Sequence, residues 1–307
     1  MNYLKLVRYQ NLFFIALVQI LIRYGLFIPF DVDITLSDFN FSLLVLATLC
    51  IAAAGNIIND IYDVEIDRIN KPQKVLIGKK ISEQTANNLF IALNVVGVGI
   101  GFYLSNSIGK PGFAALFIVF SALLYLYSSY LKGIILIGNL VVSFLVAMSL
   151  LIVTLFDLLP AITIENKELQ SAVFKIVLYF SLFALLLNFI REIVKDLQDI
   201  NGDKKGGINT LPIAIGRKRT SRIVFVLAAL LVFGIIYYMY EYLYNYQVLS
   251  LYFLFAIVGP LLFFCVKIWD AKTVKQYALL SKVLKAVMFL GICAIPLFQY
   301  VVLKGII

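Results

Sequence analysis

The sequence predicts an all-α integral membrane protein, with nine transmembrane helices in a bundle around a central cavity that opens at the cytoplasmic side. Three observations predict it. Of 307 residues, 62% are hydrophobic and only 14% are charged, with a mean hydropathy of +0.97. A soluble chain is about 45–50% apolar and about 25% charged, and one of this size has no single core able to hold the excess. The apolar residues also gather in runs of roughly 20, the length of a bilayer-crossing helix, without the alternation of a membrane barrel. The basic residues, finally, are divided between the connections as a membrane topology requires.

The runs fall at about 11–30, 41–59, 86–104, 112–130, 134–157, 172–190, 221–240, 248–268 and 283–303. The first is about as long as the others and no small-residue cleavage site follows it, so it reads as a span and not as a cleaved signal. With the N-terminus inside, the inner connections receive 21 of the 26 Lys and Arg residues, leaving Arg23, Lys110, Lys167, Lys175 and Lys304 for the first span and the outer side. The C-terminus then lies outside, and the chain is multi-pass in the cell (inner, cytoplasmic) membrane. The net charge of +9 follows from this orientation, so nucleic-acid binding is an unneeded reading, and no obligate protein partner is evident. No soluble domain interrupts residues 1–307, which read as one domain. Cys50, Cys265 and Cys293 stand far apart in apolar runs and read as small core residues. The absence of histidine excludes Ser-His-Asp triads and histidine-ligated zinc.

Two inner connections, about 60–85 and 191–220, are long and hold the polar chemistry. In the first, Asn59, Asp63 and Asp67 are spaced four apart and share one face of a continuing helix, flanked by Asp60. In the second, Asp196, Asp199 and Asp203 stand at i, i+3 and i+7, again on one face. Arg191 and Lys195 lie four apart on a neighbouring face, and Gly202, Gly206 and Gly207 permit a sharp turn and close approach to a ligand. Asp63 to Asp199 and Asp67 to Asp203 are equal separations of 136 residues. This predicts a parallel internal repeat that delivers both acidic helices to one cavity.

Acidic residues just past a membrane helix are commonly solvated caps, and inner-loop cations are expected in any case. Two clusters with matched spacing and topology, however, point to a shared ligand. Carboxylate and amide oxygens select hard cations, above all magnesium, which shares its shell with phosphates. Lys132, Arg191, Lys195 and Lys74 stand ready for the remaining phosphate oxygens, and the spans offer an apolar tunnel for a hydrocarbon tail. A coupling-ion site of a secondary transporter is the contrasting reading. Such sites usually lie at the membrane midplane, whereas these clusters sit at its inner edge.

Asn59-Asp60-x-x-Asp63-x-x-x-Asp67-Arg68-x-Asn70-Lys71-Pro72 resembles the first aspartate-rich motif of the UbiA superfamily of intramembrane prenyltransferases, and Lys195-Asp196-x-x-Asp199-x-x-Gly202-Asp203-Lys204-x-Gly206 resembles the second. Thr210-Leu211-Pro212-Ile213 and Gly216-Arg217-Lys218 are similar to the sequel of the second motif. Tyr125-x-Tyr127-Ser128-x-x-Leu131-Lys132, followed by Gly138-Asn139, is similar to the family's central region. The resemblance covers most of the chain.

It implies that Asn59, Asp63, Asp67, Asp199 and Asp203 hold magnesium, two ions bridging the diphosphate of a prenyl substrate. The same four aspartates and Lys195 are then the catalytic set. Asn59, Asp60, Lys74, Tyr125, Ser128, Lys132, Asn139, Arg191 and Asp196 are the substrate-binding set, and the partners are a prenyl diphosphate and a lipophilic acceptor in membrane lipid. The Lys-Asp-x-x-Asp-x-x-Gly-Asp form most resembles the branch that joins geranylgeranyl by an ether bond to a lipid glycerol phosphate. Aromatic acceptors of the quinone-precursor type are the alternative within the family.

Overall fold

The computed structural model of the chain describes residues 2–305. Helices dominate it, and among the described residues nine are long and apolar enough to cross a membrane. A short helix α1 (Asn2–Leu6) precedes the first span, α2 (Tyr9–Phe27). The second span, α3 (Asp38–Tyr62), starts at Ser37, whose hydroxyl accepts the Asn40 amide, satisfying one of the orphan donors of a helix start. It runs into a short helix, α4 (Val64–Asn70). The third to sixth spans are α5 (Glu83–Ser107), α6 (Pro111–Ser129), α7 (Ile137–Ala161) and α8 (Lys167–Lys205). A short α9 (Leu211–Ile215) leads to α10 (Arg217–Leu243), α11 (Gln247–Asp270) and α12 (Val274–Leu303). Every span expected from hydropathy corresponds to one of these nine.

At 39 residues, α8 measures about 58 Å at 1.5 Å per residue, against a hydrocarbon core of about 30 Å. The surplus carries the second acidic cluster out of the apolar layer without interrupting the helix.

Packing begins with α3 against α5 and α6, continues from α7 to α8, and passes through α10 and α11 to α12. The order then closes on itself, because α12 returns to both α8 and α2. Helix α8 belongs to both large apolar clusters: Val173 and Val177 pack in the first with Leu44, Phe117 and Phe156, and Leu187, Ile193 and Leu197 in the second with Phe264 and Leu284. Small residues set the spacing on α5. A Cβ at Gly101 would stand 2.3 Å from the Phe117 ring, so that aromatic seats directly on backbone, as is usual where membrane helices approach closely.

The end of the bundle opposite the acidic motifs is pinned by buried charge. Arg23 Nη1 donates to Asp157 Oδ2 at 2.7 Å, and its Nη2 donates to the Leu36 carbonyl and to Asp38 Oδ1 at 2.8 and 3.0 Å. Asp157 Oδ1 accepts the Leu36 amide at 2.8 Å, and the guanidinium lies 4.7 Å from the centroid of the Phe41 ring. Both charged partners sit in widened π-helical turns, Arg23–Phe27 and Thr154–Leu158. Arg23, left by the charge count to the first span or the outer side, is the hub that joins α2, α3 and α7.

Removing one partner of a buried pair leaves the other charge uncompensated, at a cost of about 3–5 kcal/mol. Arg23→Ala should therefore lower the thermal unfolding midpoint of the purified protein sharply. The double replacement Arg23→Met with Asp157→Leu should lose much less, because both charges leave together. A single-variant midpoint equal to that of the parent protein would contradict this role.

Candidate active site

Both acidic motifs lie at one end of the bundle, and the first is built around a break in the helix. Asp63 leaves helical geometry (φ −90°, ψ 2°) between α3 and α4. The hydrogen-bond register nevertheless carries through, with Asp63 N donating to Asn59 O at 2.9 Å and Asp67 N to Asp63 O at 2.8 Å. Asn59, Asp63 and Asp67 thus stay stacked in one column, as their spacing of four predicts. Asn59 Nδ2 donates to Asp63 Oδ2 at 2.8 Å, which leaves the Asn59 Oδ1 as an oxygen donor for a cation.

The segment that follows α4 interlocks the two motifs. Asn70 Nδ2 donates to the Asp199 carbonyl and Asn70 Oδ1 accepts the Gly202 amide, both at 2.9 Å. Next to it, Lys71 Nζ donates to Asp199 Oδ2 at 2.5 Å. Gly202 lies inside α8, and a Cβ there would fall 2.3 Å from Asn70 Nδ2. The sharp turn expected of the three glycines therefore comes only after Lys205, where Gly207 takes φ +71°. Gly202 serves close approach instead, and what approaches it is a side chain of the first motif.

A third segment brings Lys132 in from the α6–α7 connection, and its Nζ donates to Asp63 Oδ2 at 2.5 Å. That connection folds back on α7 so tightly that a Cβ at Gly138 would lie 2.9 Å from Lys132 Cα. Beside Gly138, Asn139 Nδ2 donates to Asp196 Oδ2 at 2.8 Å. Asp203 lies within the electrostatic reach of Lys132, Asp199, Asp63 and Lys71, so carboxylates of both motifs and both lysines act on one another at this end of the bundle.

The N-terminus adds a fourth contribution. Leu6 is buried among Ile57, Leu76, Ile77 and Ala86, and Asn56 Nδ2 donates to the Val7 carbonyl at 3.0 Å. Arg8, in the left-handed region at φ 53°, donates to Asp60 Oδ1 at 2.6 Å. Burial works against the Arg8 charge, but Asp60 outweighs it and holds the guanidinium above its ordinary range. Lys71 behaves alike, with burial opposed and overcome by Asp199 and Asp67. Asp67 is pushed up from the usual carboxylate range by burial, against the pull of Lys71. Lys74 lines a small pocket with Asp60 and Asp67.

The expected residues are not all at the same place. Lys195 Nζ donates to Glu192 Oε2 at 2.6 Å and Arg191 Nη1 to Glu192 Oε1 at 3.2 Å, so these two cations form their own group. The Ser128 hydroxyl returns to its own helix, donating to Leu124 O at 3.0 Å. Tyr125 pairs with Tyr62, whose hydroxyl donates to it at 3.3 Å, and packs against Phe90. Tyr127, two residues on and so roughly 200° around the helix, is instead within the field of Glu192, Asp63 and Asp196. Arg8 and Glu192 are site residues outside the predicted set, and Asn70 and Lys71 stand in the first motif without a role assigned from the sequence.

Among the described residues, no three carboxylates close on a common point by themselves. The donor chemistry nonetheless fits a hard divalent cation, since Asn59, Asp63, Asp67, Asp199 and Asp203 offer oxygen alone. Lys71 and Lys132 mark, on Asp199 and Asp63, where positive charge is welcome.

A membrane-spanning bundle with an oxygen-rich site interlocked at one end is the class of protein that fold and site define. A model of the UbiA prenyltransferase family matches residues 12–292, and the chain belongs to that family. It is 38% identical over 190 residues to a digeranylgeranylglyceryl phosphate synthase of Korarchaeum cryptofilum, covering 60% of each chain. It is 32% identical over 296 residues to the enzyme of that name from Methanococcoides burtonii, covering 95% of this chain and 97% of the other. The matched stretch thus spans about 60% of the Korarchaeum relative and nearly all of the Methanococcoides one. Its fold is like that of a UbiA homologue from Archaeoglobus fulgidus solved with DMAPP and Mg2+, with a TM-score of 0.54, 18% identity, and coverage of 95% of this chain and 99% of that one.

If Asn70 is the pin between the motifs, Asn70→Ala should cost about 1–3 kcal/mol through the two hydrogen bonds it removes between the segments. Gly202→Ala should cost a comparable amount by steric clash. The double variant should fall well short of the sum, because removing the Asn70 side chain opens the space that a Cβ at Gly202 needs. Thermal unfolding of the three variants in detergent checks this, and strict additivity would count against the interlock.

Proposed function

We propose that the protein is a magnesium-dependent prenyltransferase. In this reading it transfers geranylgeranyl from its diphosphate to the hydroxyl of a geranylgeranylglyceryl phosphate, forming an ether lipid. The observation that carries this is the interlock of two oxygen-rich motifs, answered by cations, at one end of an apolar bundle, which suits an anionic head with a hydrocarbon tail. The synthases named among its relatives support the acceptor, and the neighbour that holds DMAPP with Mg2+ supports the donor class and metal.

Asn59, Asp63, Asp67, Asp199 and Asp203 would hold two magnesium ions. When bound, magnesium supplies the positive charge that stabilises the departing diphosphate. Lys132 and Lys74 would take phosphate oxygens, and Asp60 is kept in place by Arg8. Asp196, fixed by Asn139, stands one turn before Asp199 on the same face. In the reaction the bond between the allylic carbon and the diphosphate oxygen breaks, and its electron pair leaves with the diphosphate. The acceptor hydroxyl oxygen then forms the ether bond to that carbon and releases its proton. The site opens to the cytoplasmic face of the cell membrane in this reading, with the C-terminus outside and residues 1–307 working as one domain.

Incubation of the purified protein with magnesium, geranylgeranyl diphosphate and competing glycerol-phosphate and aromatic acceptors, followed by mass spectrometry, tests the proposal. The ether lipid is the expected product, and a prenylated aromatic would overturn the acceptor. Asp63→Ala and Asp199→Ala should each lower diphosphate release by about a hundredfold to a thousandfold, the scale of a lost electrostatic element in catalysis. Both should keep the helical signal of the parent, and parental turnover in either would overturn the site.

A further inference from the structure

One helical turn of α8 before Asp196 lies a second polar group that the metal site does not use. Glu192 is buried, and its two carboxylate oxygens each accept from a different cation, Oε2 from Lys195 at 2.6 Å and Oε1 from Arg191 at 3.2 Å. A bidentate carboxylate between two cations leaves neither free to wander, and the trio still carries one net positive charge. Arg191 Nε is buried with no hydrogen-bond partner, a donor turned toward no protein acceptor. The field of Arg191 also reaches Lys285 on α12, and that of Lys195 reaches Arg8, so positive charge faces the trio from two further segments, α12 and the residues before α2.

Position decides which anion belongs there. Lys195 and Arg191 precede Asp199 by four and eight residues, about 6 and 12 Å along the axis, and helix side chains lean toward the N-terminus. Both cations are therefore directed away from the mouth and toward the membrane interior. A diphosphate held at Asp63, Asp199 and Asp203 places its reacting carbon on that same interior side. The acceptor hydroxyl must reach that carbon, and in a glycerol phosphate the phosphate is only a few bonds from the hydroxyl.

We propose that Glu192 is a positioning residue that holds Arg191 and Lys195 as a preformed subsite for the phosphate of the acceptor, leaving the diphosphate of the donor to the aspartates and Lys132. This deepens the function proposed above and rests on it. Fixing the two cations before binding removes the cost of ordering long side chains when the phosphate arrives. It also makes the site select phosphorylated acceptors, since an acceptor without the phosphate leaves the pair without its second anion.

The charge and positioning roles of Glu192 predict opposite signs. If Glu192 only cancelled charge, Glu192→Gln would leave two uncompensated cations and bind an anionic acceptor more tightly. If it positions them, the same change frees both side chains and raises the acceptor KM, by about tenfold for a lost charged hydrogen-bond network.

Steady-state kinetics of the full chain in nanodiscs, with geranylgeranyl diphosphate and geranylgeranylglyceryl phosphate varied separately, tests this. The expected result for Glu192→Gln is an acceptor KM raised about tenfold with the donor KM within about twofold of wild type. The intact donor KM also reports that the variant is folded. Lys195→Gln should shift the same constant in the same direction. With geranylgeranylglycerol, which lacks the phosphate, the wild type and Glu192→Gln should be equally poor. A lowered or unchanged acceptor KM, or a raised donor KM with the acceptor KM unchanged, would overturn the subsite while leaving the proposed reaction standing. Failure of the wild type itself to prenylate geranylgeranylglyceryl phosphate would overturn the reaction and the subsite together.

Discussion

Opposite charges drawn from separate stretches of chain hold the acidic end together. Asp60, Asp63, Asp67, Glu192, Asp196, Asp199 and Asp203 converge there, and like charges a few ångströms apart repel by about 4 kcal/mol per pair at 4 Å for an effective dielectric constant near 20. The cations that answer them come from the N-terminal turn (Arg8 to Asp60), the segment after α4 (Lys71 to Asp199), the α6–α7 connection (Lys132 to Asp63) and α8 itself. Three of these pairings join segments at least 50 residues apart. No single segment can adopt its place without the others, so the site and the tertiary structure at this end are one arrangement. The glycines at 138 and 202 belong to the same constraint, because each lets a backbone or side chain of the neighbouring segment come within reach of its carboxylate.

The arrangement also suits an anionic ligand. Lys71 and Lys132 each spend their charge on a carboxylate that the motifs assign to metal. A phosphate offers those ammonium groups a second anionic partner of similar geometry. Each lysine can therefore change partner with neither a bare carboxylate nor a bare ammonium left in a half-buried site. A site built of carboxylates alone would repel the diphosphate, and one of lysines alone would have no means of gathering divalent ions. Interleaving the two serves both.

Hydropathy made the spans legible, since each run of about 20 apolar residues had one structural solution. The column of Asn59, Asp63 and Asp67 was legible too, although Asp63 leaves the helix, because the backbone hydrogen bonds keep the spacing of four. What periodicity could not carry was contact between distant segments. Asn70 and Gly202 lie 132 residues apart, and nothing in either neighbourhood marks the other. Gly202 accordingly looked like a turn. Tyr125 and Tyr127 share the motif but face different sides of α6, and only packing against Phe90 and Tyr62 shows which is which. Arg23 had no visible role in the sequence because its partner, Asp157, is 134 residues away.

The two ends of the bundle use ion pairs differently, and burial separates the uses. Arg23 is 2% exposed and Asp157 not at all, and Arg23 also bonds the Leu36 carbonyl and Asp38, with an aromatic ring under its guanidinium. Moving either charge means stranding it in a low-dielectric interior, so that end is fixed. Lys71 and Asp199 keep 26% and 16% of their side chains exposed, and each lysine at the acidic end has a single flexible arm on a single carboxylate oxygen. Water or a ligand oxygen can stand in for that contact as it breaks, which lowers the cost of exchange far below the cost of stranding a charge. The fully buried pair can only hold the frame, whereas the partly exposed pairs can open. The difference follows from where each pair sits relative to the apolar layer, before any chemistry is considered.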